Sequence, residues 1–193
     1  MIIKKASGGV GLSASGAILL RASLVMNFGV GLFAPIYALY VEKIGGSILD
    51  VGIAYAIFSI VTGTFIILFG TSAFFDRNVR KFVVAGYFLM GLTYLGYLLI
   101  ESPLHLFIVQ IFLGLTNGIL EPAWDAVFSA GSNEAQEAKN WSLWSGGVSL
   151  IVGFSALLGS YIAHYSFSAI FIIMSACAFI SSAISAKILK GRS

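Results

Sequence analysis

Between Lys139 and Lys187 the chain runs for 47 residues without a charged side chain. As one helix that run would be about 70 Å long, more than twice the roughly 30 Å hydrocarbon core of a bilayer. It must therefore turn once, and His164-Tyr165-Ser166 is the most polar place to do so. Four shorter uncharged gaps precede it, at 22–41, 51–75, 82–100 and 102–120. Each is close to the roughly 20 residues that one spanning helix needs. Six spans are predicted, at about 17–41, 48–75, 82–100, 104–129, 141–164 and 167–187.

Composition excludes the other classes. Hydrophobic residues make up 59% of the chain and charged residues 10%, whereas a soluble domain carries about 25% charged residues to wet its surface. Disorder, a coiled coil and a nucleic-acid partner fall on the same arithmetic. A membrane barrel would alternate apolar and polar residues, and Phe65-Ile66-Ile67-Leu68-Phe69 and Ile170-Phe171-Ile172-Ile173 do not. The expected fold is an all-α membrane protein whose first partner is the lipid bilayer. Cys177 cannot form an intrachain disulfide and reads as a small hydrophobe. His105 and His164 lie far apart, so no metal or bound cofactor is expected.

Lys4 and Lys5 could open a signal peptide, but the apolar run after them is too long and lacks a small-residue cleavage site. We read residues 1–15 as a flexible cytoplasmic tail and 16–189 as the transmembrane domain. Placing the N-terminus inside puts ten Lys and Arg on the inner side, among them Arg21, Arg77, Arg80, Lys81 and Lys139, and only Lys43 outside. Both termini are therefore expected in the cytoplasm, with the chain in the cell membrane.

Gly31-Leu32-Phe33-Ala34-Pro35-Ile36-Tyr37 resembles Gly118-Ile119-Leu120-Glu121-Pro122-Ala123-Trp124 at an offset of 87 residues. The same offset carries the second and third spans close to the fifth and sixth. The chain thus reads as two three-helix repeats, about 16–101 and 102–189. Three spans is an odd number, so the second unit enters from the opposite side and the repeats are inverted. Inverted repeats recur in secondary transporters, with substrate held between them near the midplane.

The fourth span concentrates the polar residues. Gln110, Gly114, Asn117, Glu121 and Asp125 are 4, 3, 4 and 4 residues apart and share one helical face. A carboxylate at the centre of a spanning helix costs about 2.5–3.5 kcal/mol and less near an end, so Glu121 and Asp125 need water or a partner. Arg21 lies at a similar depth in the first span, and Asn27 deeper. Together, Arg21, Asn27, Gln110, Asn117, Glu121 and Asp125 make a candidate substrate or ion cavity, and a structural Arg21–Glu121 pair is the alternative. Pro35 and Pro122 mark candidate helix bends, each lacking an amide for the carbonyl one turn back. Gly114 with Gly118, and Ser155 with Gly159 and Ala163, suit close helix packing.

The loop after the second span reads Ser72-Ala73-Phe74-Phe75-Asp76-Arg77-Asn78-Val79-Arg80-Lys81. It resembles the cytoplasmic-loop signature of the major facilitator superfamily, Gly-x-x-x-Asp-Arg-x-Gly-Arg-Lys. Asp76, Arg77, Arg80 and Lys81 match, while Ser72 and Val79 stand where that signature has glycines. The Gly31–Pro35 and Gly114–Pro122 stretches are similar to the family's first- and fourth-helix patterns. The resemblance implies one six-helix half of a transporter that normally has twelve spans. It also implies that Asp76, Arg77, Arg80 and Lys81 help latch two halves on the cytoplasmic side. Gln110 stands where the fourth-helix arginine is found, and Ser155-Ala156-Leu157-Leu158-Gly159-Ser160 keeps one glycine of the antiporter signature. The resemblance therefore carries neither proton antiport nor a substrate.

An enzyme is not expected. A rhomboid-like protease needs Gly-x-Ser-Gly, and Gly153-Phe154-Ser155-Ala156 lacks the last glycine. A channel would show an Asn-Pro-Ala pair or a glycine-rich filter, and neither is present. The expected function is half-size secondary transport of a small molecule by alternating access, as a homodimer or with a second six-helix chain. The alternative is a non-transporting accessory subunit or a truncated half.

Overall fold

A computed structural model describes residues 12–130 and 134–190, so most of the 1–15 tail lies outside the described residues. Helix α1 (Ala14–Phe33) starts where the Ser13 hydroxyl accepts from Gly16 N at 3.0 Å, satisfying an otherwise orphan donor. At Pro35 the helix passes through a single 3-10 turn, Ala34–Ile36, into α2 (Tyr37–Lys43). Gly45, at φ 82°, reverses the chain. Ser47 and Asp50 then form a capping box for α3 (Ile48–Gly70), with both Asp50 Oδ2 contacts at 2.7 Å.

The second span stops at Gly70 rather than 75. Gly70, Thr71 and Ser72 are poor helix formers, and Ser72 is extended ahead of a one-turn α4 (Ala73–Asp76). Helix α5 (Val79–Gly96) and a 3-10 turn, Tyr97–Leu99, make the third span. Helix α6 (Pro103–Ala130) runs unbroken through Pro122. Helix α7 (Glu134–Tyr165) begins about seven residues before the expected 141, because Glu134 to Lys139 is rich in good helix formers and extends it as a polar turn. Ser166 ends it and caps α8 (Phe167–Ser185), at the turn the charge-free run required.

Six of these segments are long and apolar enough to cross a membrane: Ala14–Lys43, Ile48–Gly70, Val79–Leu99, Pro103–Ala130, Gln136–Tyr165 and Phe167–Leu189. The protein is an all-α membrane protein. Helix α6 packs along α3 and α5, α1 along α7 and α8, and α5 along α8. Exchanging the first three spans for the last three leaves this pairing unchanged.

Side chains repeat the relation at the same offset. Gly29 meets Cys177, and Thr116, 87 residues after Gly29, meets Met90, 87 residues before Cys177. Both small-residue motifs are consumed inside the bundle. Gly114 and Gly118 receive α3, and Ser155 and Gly159 receive Gly31 and Leu32 of α1.

Candidate functional site

The core is built from α1, α5, α6 and α8, with α3 and α7 laid on its outside. Within their most apolar stretch, 11% of α3 and of α7 is buried, against 39–44% of the other spans. Between these two helices the bundle opens into a cavity of about 400 Å³, walled by α1, α3, α5, α6 and α7. Its polar side chains are Ser23, Asn27, Asn117, Glu121 and Asp125, and among the described residues no Lys, Arg or His lines it.

Four of the six cavity residues expected from sequence thus come together. Asn117 Nδ2 donates to Glu121 Oε2 at 3.0 Å, one turn along α6. Asn27 Nδ2 donates to Ser23 O at 2.8 Å and to Ser23 Oγ at 3.1 Å. Glu121 and Asp125 are exposed at the cavity mouth. Helix α6 is about 42 Å long, so Glu121 sits about 7 Å from its midpoint and Asp125 about 13 Å. A bilayer core reaches about 15 Å either side of its centre, so Glu121 falls well within the span and Asp125 near its edge.

Arg21 and Gln110 are placed elsewhere. Arg21 is exposed and outside the cavity lining. Gln110 is buried and lines an adjoining compartment of about 270 Å³, which shares Val30, Phe58, Tyr94 and Leu113 with the first. There Gln110 Nε2 donates to Tyr37 Oη at 2.9 Å and to Tyr97 Oη at 3.2 Å. Tyr40 Oη donates to Tyr97 O at 3.3 Å, and the Phe33 ring meets Tyr37, Tyr40 and Tyr97 edge-on, each at 5.5 Å.

The aromatic wall was not anticipated from sequence. Phe58, Tyr87, Tyr94, Trp124 and Trp144 all line the main cavity, with Met26 and Met90. Trp124 and Trp144 lie 5.2 Å apart, and Trp144 Nε1 donates to Ser23 Oγ at 2.8 Å, fixing α7 against α1. Trp124 Nε1 is buried without a hydrogen bond of good geometry, although Tyr87 stands beside it. The available signal was spacing: Asn117, Glu121 and Trp124 share a face of α6, as Tyr87, Met90 and Tyr94 share one of α5.

The loop residues form a second feature. Asp76, Arg77, Arg80 and Lys81 border one groove with Leu189 at the end of the last span. Phe75 anchors it, buried and stacked on Phe82 at 4.8 Å. Arg80 also borders Ser13 and Ala130, so the groove lies at the end where α1 begins and α6 ends. Among the described residues no three His, Cys, Asp or Glu side chains gather as a metal would require.

Comparison with known proteins follows the same lines. The sequence model described as Major Facilitator Superfamily matches residues 19–192. An uncharacterized MFS-type transporter of Methanocaldococcus jannaschii is 26% identical over 136 residues, which cover 70% of this chain and 35% of that protein. The proton-coupled antiporter flippase LtaA of Staphylococcus haemolyticus is 28% identical over 147 residues, covering 74% of this chain and 35% of that protein. The matched stretch is thus about a third of the length of either relative.

Proposed function

Because the chain belongs to the major facilitator superfamily, we propose that it is one six-helix half of a secondary transporter, moving a small solute by rocking against a second six-helix body. The observation that carries this reading is the placement of Glu121 and Asp125. Both carboxylates are exposed at the mouth of a cavity, and Glu121 lies at a depth where facing lipid would cost a substantial part of the ~2.5–3.5 kcal/mol of a helix centre. A second body closing a wet cavity over them removes that cost.

The flanking helices support the same arrangement. Gly52 and Gly63 on α3, and Gly146 and Gly153 on α7, have nothing within 4 Å of an added Cβ. Ala56 and Ser59 continue the first row and Ser142 and Ser149 the second, all exposed. Small residues are what membrane helices use for close approach. Asp76, Arg77, Arg80 and Lys81 would then latch the two bodies at the cytoplasmic end. Short-range ion pairs of this kind can hold one state and release in another.

Glu121 is the coupling residue in this reading, able to exchange a proton, a cation or a cationic substrate. One relative, LtaA, is a proton-coupled antiporter, which is compatible with that role. The ten-to-one distribution of Lys and Arg supports a chain in the cell membrane with both termini in the cytoplasm. The second body is a second copy or another six-helix segment.

The test is to measure the mass of the transporting species in lipid nanodiscs and vesicles. Two six-helix bodies are expected. Transport by a single six-helix body would overturn the proposal, and a two-body complex that moves no solute would favour an accessory subunit.

A further inference from the structure

We propose that the cavity beside Glu121 and Asp125 binds an organic cation, a protonated amine or quaternary ammonium carried on an apolar body. This rests on the cavity being the substrate path and names the class of substrate. The volume, about 400 Å³, falls within the roughly 300–1,000 Å³ of small-molecule sites.

Charge selects among ligands first. Two carboxylates line the cavity, and no cationic side chain among the described residues lines it to balance them. Arg21, the sequence candidate for that task, stands outside the lining. The Asn117 amide donates to Glu121 but adds no charge. An anion would meet both carboxylates, so it is disfavoured.

The wall then separates a cation from a neutral polar solute. A sugar needs many free donors and acceptors, because each unpaired polar contact costs about 1–3 kcal/mol. Here Ser23 Oγ already accepts from both Trp144 and Asn27. What the wall supplies instead is Tyr87, Tyr94, Trp124 and Trp144. Aromatic faces attract a cation through the ring quadrupole, by about 0.5–2 kcal/mol each, and form the cages that recognise quaternary ammonium. Aromatic surface and carboxylates in one cavity suit a ligand with a cationic head and an apolar body. An amine lipid headgroup and a soluble amine share that chemistry.

Trp124 and Trp144 line the cavity and Trp141, the third tryptophan of the chain, packs against both, so intrinsic fluorescence reports on it. The purified full chain, with any body it retains, is placed in phosphatidylglycerol nanodiscs and titrated with benzyltrimethylammonium or with benzenesulfonate. We expect saturable quenching by the cation and none by the anion. The near-isosteric variants Glu121→Gln and Asp125→Asn should each weaken cation binding about tenfold or more. Weaker apparent binding when phosphatidylethanolamine is added to the discs would assign the site to a lipid amine, and unchanged binding to a soluble one. Both results keep the cation class. Equal responses to the two probes, no saturable response to the cation, or undiminished affinity in both variants would overturn it. The comparison of cation with anion needs no variant to fold. Binding requires no turnover, so failure here leaves the transport proposal standing, and cation binding without transport would keep the site while removing its role as a substrate path.

Discussion

Gly31 and Gly118, 87 residues apart, each take the close approach of a neighbouring helix, and the residues that approach them, Val152 and Phe65, are 87 residues apart as well. One contact joins α1 to α7 and the other α6 to α3. The repeat is thus built into the packing at equivalent positions, where no Cβ fits. A Cβ on Gly118 would lie 2.6 Å from Phe65 Cβ and 3.0 Å from Thr62 O. Overpacking of this kind typically costs about 1–3 kcal/mol. Gly118→Val should therefore lower the thermal stability of the purified chain and Gly31→Val should do the same. In the isolated six-helix chain Gly52→Ala, which meets open space within the bundle, should be neutral or slightly stabilising, since Ala is a better helix former by about 0.5–1 kcal/mol. Equal tolerance of all three would remove the packing role.

Gln110 is expected to hold the adjoining compartment together through Tyr37 and Tyr97. Gln110→Leu leaves both hydroxyls without this donor and should destabilise the chain by about 1–3 kcal/mol. Adding Tyr37→Phe and Tyr97→Phe should recover part of the loss, because replacing all partners by apolar groups is close to neutral. Thermal unfolding in lipid discs reads both steps. An unperturbed Gln110→Leu variant would show that the aromatic packing around Phe33 suffices alone.

Span number and turns were legible because lipid leaves the chain little choice. Charges mark the exits, and Ser166 falls where an overlong apolar run had to fold back. The repeat was legible from Gly31, Pro35, Gly118 and Pro122. Its mechanical outcome was not, since Pro35 sits in a 3-10 turn while Pro122 lies in an unbroken helix. Arg21 was matched to Glu121 by depth, but depth is only one coordinate. At about 100° per residue, Arg21 points about 120° away from Asn27 around α1, and it lies outside the cavity. Trp144 and Tyr87 were missed for a related reason. An apolar helix carries no polar stripe to say which face meets a cavity and which meets lipid.

Topology can be read from two added cysteines. In a Cys177→Ala background, Ile3→Cys and Gly191→Cys should resist a membrane-impermeant maleimide on intact cells and react once the cells are opened. Labelling of either from outside would invert the orientation drawn from the Lys and Arg distribution.

Asp76 should matter for transport and little for folding. It is exposed beside Arg77, and Phe75, not Asp76, anchors the loop in the core. Asp76→Asn keeps size and removes charge. Transport should fall severalfold at unchanged abundance and melting temperature. Intact transport would leave the loop with a topological role only.

The proposed second six-helix body would cover the cavity from the faces of α3 and α7. Photo-cross-linking in native membranes tests it most directly, with benzoylphenylalanine placed at Ser59 or Ser149 on those faces and at Leu92 or Ile172 on the exposed surfaces of α5 and α8. A discrete product containing a second six-helix body is expected from Ser59 and Ser149, and none from Leu92 and Ile172. Absence of that product at Ser59 and Ser149, or equal yields at all four positions, would contradict it.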